Sequence, residues 1–345
     1  MNRASWLALV VLSLVVRPAV ATQNSPHPSR AERMTAIETE FQAAKSKQAA
    51  GEPQLSRWAD RAWSLVNQDA SDEVAFRALV WLVRNQPDPE STRKALAMVE
   101  KLHLGDPGVA DLCRDLVRES RPVARDFLSR ALVKSSSREV KGIACYGLAR
   151  RTLLDCDDAE RLKSGGAGAE ALRASLGDEV ARNLETLDIA EARVDAEKLL
   201  ESVAEQFGDV KYDGRTLADA AHGDLFEMKS LAIGCAAPEI EGQDLDGAAF
   251  KLSDSRGKVV VLEFSEAPIP ADAPERSLVK RLAGQPVALL VIAPGPIALR
   301  WNVRAWPTIH VLDGQGTIRF KSVRGEALDR AVEMLLAEQK GARSK

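Results

Sequence analysis

The stretch Phe250 to Phe264, FKLSDSRGKVVVLEF, decides the fold of the C-terminal third of this 345-residue chain. Val259, Val260, Val261 and Leu262 form an unbroken apolar run, the pattern of a strand buried on both faces of a sheet. Gly257 and Lys258 turn the chain into that strand, and Phe250, Leu252 and Ser253 precede it on a shorter strand and loop. Phe264 is followed by Ser265-Glu266-Ala267-Pro268-Ile269-Pro270-Ala271-Asp272-Ala273-Pro274, which contains no cysteine.

Working outward, Glu275 to Leu282 is amphipathic at helical spacing, and Val287 to Ile292 reads as a second buried strand. Pro294-Gly295-Pro296 opens a short helical segment, Ile297 to Trp301. Asn302-Val303-Arg304-Ala305-Trp306-Pro307-Thr308 then leads into a strand, Ile309 to Leu312. Gly314 and Gly316 turn the chain into Thr317 to Lys321, and Glu326 to Glu338 reads as a closing helix. Upstream, Leu231 to Pro238 (LAIGCAAP) marks the entry to this region, followed by the tight turn Leu245-Asp246-Gly247.

These residues resemble the thioredoxin-like redoxin family, secreted thiol–disulfide oxidoreductases and peroxidases of the alkyl hydroperoxide reductase/thiol-specific antioxidant type. The resemblance rests on FKLSDSRGKVVVLEF, on LAIGCAAP against the entry pattern I-G-x-x-A-P, and on Trp306-Pro307-Thr308. It covers residues 231–340 and implies an α/β thioredoxin-like domain in the order β-β-α-β-α-β-β-α. It also implies a W-C-x-x-C motif running on from Phe264, and at that place this chain has Ala267, Pro268, Ile269 and Pro270 or their neighbours instead. No cysteine occurs from Ala236 to Lys345. Thiol exchange needs a thiolate, its pKa lowered at a helix N-terminus, with a resolving thiol nearby. No such sulfur is encoded at that place.

Three other positions carry over. Glu263 matches the carboxylate that the family buries beneath its cysteines. With no thiol to serve, it reads as a partly hydrated strand-end group, whose pKa would rise if it were buried. Pro307 matches the family's cis-proline, and the backbone beside it pairs with extended peptide in the resemblance. Trp306, Pro307 and Thr308 are therefore the candidate peptide-binding residues; Trp301 and Trp306 either line that groove or fill space in the core. Glu263, Ala267, Pro268, Ile269 and Pro270 are the vestigial active-site region. No catalytic residue and no cofactor is expected. His27, His103, His222 and His310 form no metal spacing.

Formal net charge is −3 with both signs interspersed, which gives no electrostatic footprint for nucleic acid. Met1-Asn2-Arg3, the apolar run Trp6 to Val16 and Ala19-Val20-Ala21 form the pattern of a signal peptide over 1–21. Its apolar run is short of the roughly 18–20 residues of a membrane span. Export to the periplasm or the extracellular space is expected, with no integral membrane segment after cleavage. A leader, 22–30, precedes an all-α region, 31–230, and a tail follows at 341–345.

Within 31–230, Ser71, Asp106-Pro107 and Ser136-x-x-Glu139 read as helix starts. The segments from Asp106, Arg121 and Ser137 look alike and are helical-repeat-like, with Val109, Val123 and Val140 in matching places. Asp155, Asp157, Asp158 and Glu160 read as a solvated run at a helix end. Cys113, Cys145, Cys156 and Cys235 match no redox or metal spacing; in an exported protein they could pair, and most of them read as small buried hydrophobes. On one continuous helix Cys145 and Cys156 stand about 16 Å apart, too far to pair. The expected function is that of a non-catalytic module that binds an extended peptide or another exported protein, or acts as a scaffold. The alternative is redoxin activity through a non-standard cysteine.

Overall fold

A computed structural model describes residues 28–47, 55–85, 88–117, 119, 121–244, 247–268, 270 and 272–343. The signal-peptide reading, Ile269 and the turn at Leu245-Asp246 lie outside the described residues. The chain forms two compact units, one ending at Trp81 and the other beginning at Leu82.

The first unit holds α1 (Arg30–Lys47), α2 (Leu55–Gln68) and the start of α3 (Glu73–Asn85). Phe41 meets Trp58 and Trp81 edge-on, at ring-centroid distances of 5.7 and 5.1 Å. Asp72, not Ser71, starts α3: its carboxylate accepts from the N–H of Ala75 at 2.9 Å.

The second unit begins with a helical layer. It comprises α4 (Pro89–Leu102), α5 (Val109–Leu116), α6 (Pro122–Lys134), α7 (Arg138–Ser164), α8 (Ala167–Leu176), α9 (Asp178–Glu185) and α10 (Ile189–Phe207). Asp88 caps α4 ahead of Pro89, with its side chain accepting from the N–H groups of Glu90 and Ser91. Two expected starts are displaced. Ser137 rather than Ser136 caps α7, and α5 opens at Val109 behind Gly108, past Asp106-Pro107.

The long α7 is the axis of this layer. Gly142 lets α10 approach it, since a Cβ there would lie 2.8 Å from the Cβ of Phe207. The helix is unbroken between Cys145 and Cys156, and all four cysteines are free. The acidic run belongs to the body of α7, not its end, and is only in part a solvated face. Asp155 pairs with Arg125 and Arg151, and Asp158 with Arg151 and Arg161.

A small hairpin, β1 (Lys211–Tyr212) and β2 (Arg215–Thr216), interrupts the all-α expectation. The turn at Asp213-Gly214 makes it possible, both residues having positive φ (46° and 78°). Thr216 and Asp219 then form a reciprocal capping box that starts α11 (Leu217–Ser230).

The C-terminal part opens with a second hairpin, β3 (Glu241–Gln243) and β4 (Ala249–Lys251), one strand more than expected. Then follow β5 (Val259–Phe264), α12 (Pro274–Arg281), β6 (Val287–Ile292), α13 (Pro296–Arg300), β7 (Thr308–Leu312), β8 (Ile318–Lys321) and α14 (Glu326–Arg343). The closing helix extends through 341–343, where the sequence reads as a tail. The four-stranded sheet has the order β6-β5-β7-β8, with β5 parallel to β6 and antiparallel to β7. Every residue of β5 is buried, as its continuous apolar run requires.

Strand alternation sends β5 side chains into two cores. Val259 and Val261 join Leu278 of α12 and Leu328, Val332 and Leu335 of α14 on one face. Val260, Leu262 and Phe264 join Ala298, Trp301 and Leu231 on the other, where Phe226 of α11 also packs. Because α11 covers this second face, the compact unit runs through Leu231 without division. The boundary read at 231 is a change of pattern, not a gap in packing.

Candidate functional site

Phe264 lies opposite Thr308 in the β5–β7 ladder and beside Ile292 in the β5–β6 ladder. The segment after β5 and the segment before β7 therefore leave the sheet at one end. On the first, the buried Ser265 donates its N–H to the carbonyl of Ile292 at 3.0 Å and its hydroxyl to that of Ala267 at 2.8 Å. Glu266, Ala267, Pro268 and Pro270 are exposed, and α12 starts at Pro274 with no side-chain cap. On the second, the Trp306-Pro307 bond is cis and Trp306, Pro307 and Thr308 are half-buried. The hydroxyl of Thr308 donates to the carbonyl of Ala305 at 2.6 Å, and the Arg324 guanidinium donates to the carbonyl of Pro307.

The segments that carry Ala267, Pro268 and Pro270 and that carry Trp306, Pro307 and Thr308 thus leave the sheet at the same end. Glu263 belongs to the opposite face from Trp306, pointing toward α12 and α14 with Val259 and Val261. It is buried, not partly hydrated: only 2% of its surface is exposed, and Oε2 has no hydrogen-bond partner. Burial and the neighbouring Glu275 carboxylate push its pKa up to about 7, against the weaker pull of Arg324 and Arg276. Trp301 is core, as is His310, whose ring sits 5.4 Å from Trp301 and 6.1 Å from Phe264 between centroids. Burial holds His310 neutral, its pKa down to about 4.

The cysteines lie elsewhere. Cys235 stands beside β8 at Ile318, the end of the sheet that pairs with Leu312, so the length of β7 separates it from Thr308. That length is about 13 Å for four residues of strand. Cys113, Cys145 and Cys156 are buried in the helical layer. Desolvation pushes their thiols up to about 12, 11 and 11, away from thiolate reactivity. Among the described residues no cluster of His, Cys, Asp and Glu could hold a metal ion, and no helix is long and apolar enough to cross a membrane.

The strand order β6-β5-β7-β8, with one parallel and two antiparallel pairings and helices on both faces, identifies this part of the chain. Its fold is thioredoxin-like. No family model and no curated protein matches the sequence. Solved structures similar to it include the thioredoxin domain of a thiol-disulfide oxidoreductase from Bacteroides vulgatus. That likeness has 21% identity, covers 31% of this chain and 99% of the other, and has a TM-score of 0.27. A thiol:disulfide interchange protein from Chlorobium tepidum shows 20% identity over 30% and 98%, with a TM-score of 0.27. A thioredoxin-like protein from Bacteroides caccae shows 14% over 83% and 97%, with a TM-score of 0.32. The fold rests on the strand order and pairing described above.

One constellation near the site escapes a reading of the sequence. Asp224 of α11 has a fully buried side chain that accepts four donors. Tyr146 Oη (2.9 Å) and Arg150 (3.0 Å) come from α7, and Asn302 Nδ2 (3.0 Å) and the Arg304 guanidinium come from the segment before Trp306. Arg304 also donates to Tyr146 Oη at 3.0 Å and to Asn302 Oδ1 at 3.2 Å. Beside them Glu227 accepts from Asn302 at 2.9 Å and from Lys321 at 2.7 Å. Burial raises the Glu227 pKa, but Lys321, Asn302 and Arg150 outweigh it and hold it below the usual carboxylate range.

Gly223 makes room for this cluster, since a Cβ there would lie 2.7 Å from Asn302 Oδ1. Ordinarily Gly→Ala inside a helix stabilises by about 1 kcal/mol. Here overpacking against a bonded side chain, worth about 1–3 kcal/mol, opposes it. Gly223→Ala is expected to lower the denaturant midpoint, and a raised midpoint would show that Asn302 yields freely.

Proposed function

We propose that this chain is an exported, non-catalytic binding protein whose thioredoxin-like part holds extended peptide at Trp306, Pro307 and Thr308. One observation carries the reading. Where a thiol enzyme of this fold needs sulfur, this chain has Ala267, Pro268 and Pro270, all exposed, while the segment Trp306–Thr308, which leaves the same end of the sheet, is half-buried. A half-buried tryptophan next to backbone at a sheet end suits an extended chain, held by main-chain hydrogen bonds and one apolar anchor. The helical region, 31–230, serves in this reading as a scaffold for the part from 231 to 340. Cleavage after the segment 1–21 delivers both outside the cytoplasm.

The alternative, redoxin activity through a non-standard cysteine, has Cys235 as its only partly exposed thiol among the four. Its place at the far end of β7 argues against it.

The test uses the full mature chain and a permanently unfolded polypeptide with alkylated cysteines, so that no thiol exchange contributes. Fluorescence anisotropy should report saturable binding. Trp306→Ala should weaken it by about 2 kcal/mol, some thirty-fold, with an unchanged far-ultraviolet spectrum. Equal affinity of wild type and Trp306→Ala would move any binding away from this face.

A further inference from the structure

The binding face is carried by a segment that the helical layer holds from behind. Its backbone ties fall early: the N–H groups of Asn302 and Val303 donate to the carbonyls of Leu299 and Ala298, both at 3.0 Å. Beyond Val303, side chains do the holding. Arg304 reaches away from the sheet to Asp224 on α11 and Tyr146 on α7, two helices outside the thioredoxin-like part. Asn302, in the left-handed region at φ 53°, spans Asp224 and Glu227 with its amide and receives Arg304 on its carbonyl oxygen. Trp306 follows two residues after Arg304, packed against the core cluster that holds Phe264 and Trp301.

A fully buried carboxylate with two guanidinium partners, a tyrosine and an amide has fixed geometry, because losing any partner leaves a buried charge or dipole unmatched. An isolated thioredoxin-like domain has no equivalent of α7 to supply Tyr146 and Arg150. We infer that Asp224 is a positioning residue: through Asn302 and Arg304 it fixes the segment 302–305, so the helical layer sets how Trp306 and Pro307 are presented to a bound peptide. This inference rests on the proposed peptide-binding role of that face. It makes α7 and α11 working parts of the binding site and not merely a spacer.

The test separates positioning from bulk stability. Arg304→Ala removes the segment's own arm of the cluster, and Tyr146→Phe removes one hydroxyl while keeping the ring. Amide hydrogen exchange is measured in 302–306 and, as an internal reference, in α14. Affinity is measured for the same alkylated unfolded polypeptide. Losing a hydrogen bond to a charged group predicts about a ten-fold weaker affinity for Arg304→Ala and a smaller loss for Tyr146→Phe. Exchange at 302–306 should accelerate in both while α14 keeps its protection. Unchanged exchange at 302–306, or an equal acceleration in α14, would overturn the inference. If wild type does not bind the polypeptide at all, the peptide-binding reading fails by itself, and the exchange comparison still decides whether Asp224 positions the segment.

Discussion

Asp224→Ala is expected to cost about 3–5 kcal/mol of stability, because it breaks a buried ion pair from one side. It leaves Arg150, Arg304 and the Tyr146 hydroxyl facing a cavity, and Asn302 loses one of its two acceptors. For a unit of this size that is a fall of about 6–20 °C in midpoint, at roughly 2–4 °C per kcal/mol. The comparison is Asp115→Ala. Asp115 also pairs with arginine, Arg84, but both side chains are nearly half exposed. Surface pairs of that kind are worth about 0–1 kcal/mol. Midpoints by circular dichroism decide it: similar, small losses in the two variants would mean that the Asp224 cluster is not held as described.

The second large effect depends on pH. Glu263 has a folded pKa near 7 against an ordinary 4.5, so between those values the folded state keeps a proton that the unfolded state has lost. Stability therefore falls as pH rises through that window, by about 3 kcal/mol in all, and the loss is complete above pH 7. Glu263→Gln preserves shape and cannot ionise. It should be nearly neutral at about pH 4 and stabilising by up to about 3 kcal/mol at about pH 8. His310 acts in the opposite direction. Its depressed pKa removes stability as pH falls from 6.5 toward about 4. Both proteins keep His310, so its contribution cancels in the difference. A midpoint difference between wild type and Glu263→Gln that stays constant across that range would show that folding does not raise the pKa of Glu263.

The thioredoxin-like part was legible because its signals are local. A continuous Val-Val-Val-Leu run has to be a buried strand, and Trp306-Pro307-Thr308 stands at the mouth of the next. The missing sulfur is equally plain, since no folding of the chain can supply an atom that is not encoded. What stayed hidden depends on long-range contact. Asp224, Tyr146 and Arg304 are 78 to 158 residues from one another where they bond, and each looks like any surface residue in a chain that is 28% charged. The burial of Glu263 escapes the sequence for a related reason: its position on the strand fixes which face it joins, but not how deeply α12 and α14 cover that face. The cap at Ser137 in place of Ser136 shows the limit of local pattern, one residue either way.

Disulfide turnover by the full chain tests the central claim most directly. With insulin and a dithiol reductant, and separately with peroxide, the rate should equal that of the protein-free blank. A rate well above the blank that disappears in Cys235→Ser would contradict the account and establish a thiol enzyme working from an unexpected cysteine.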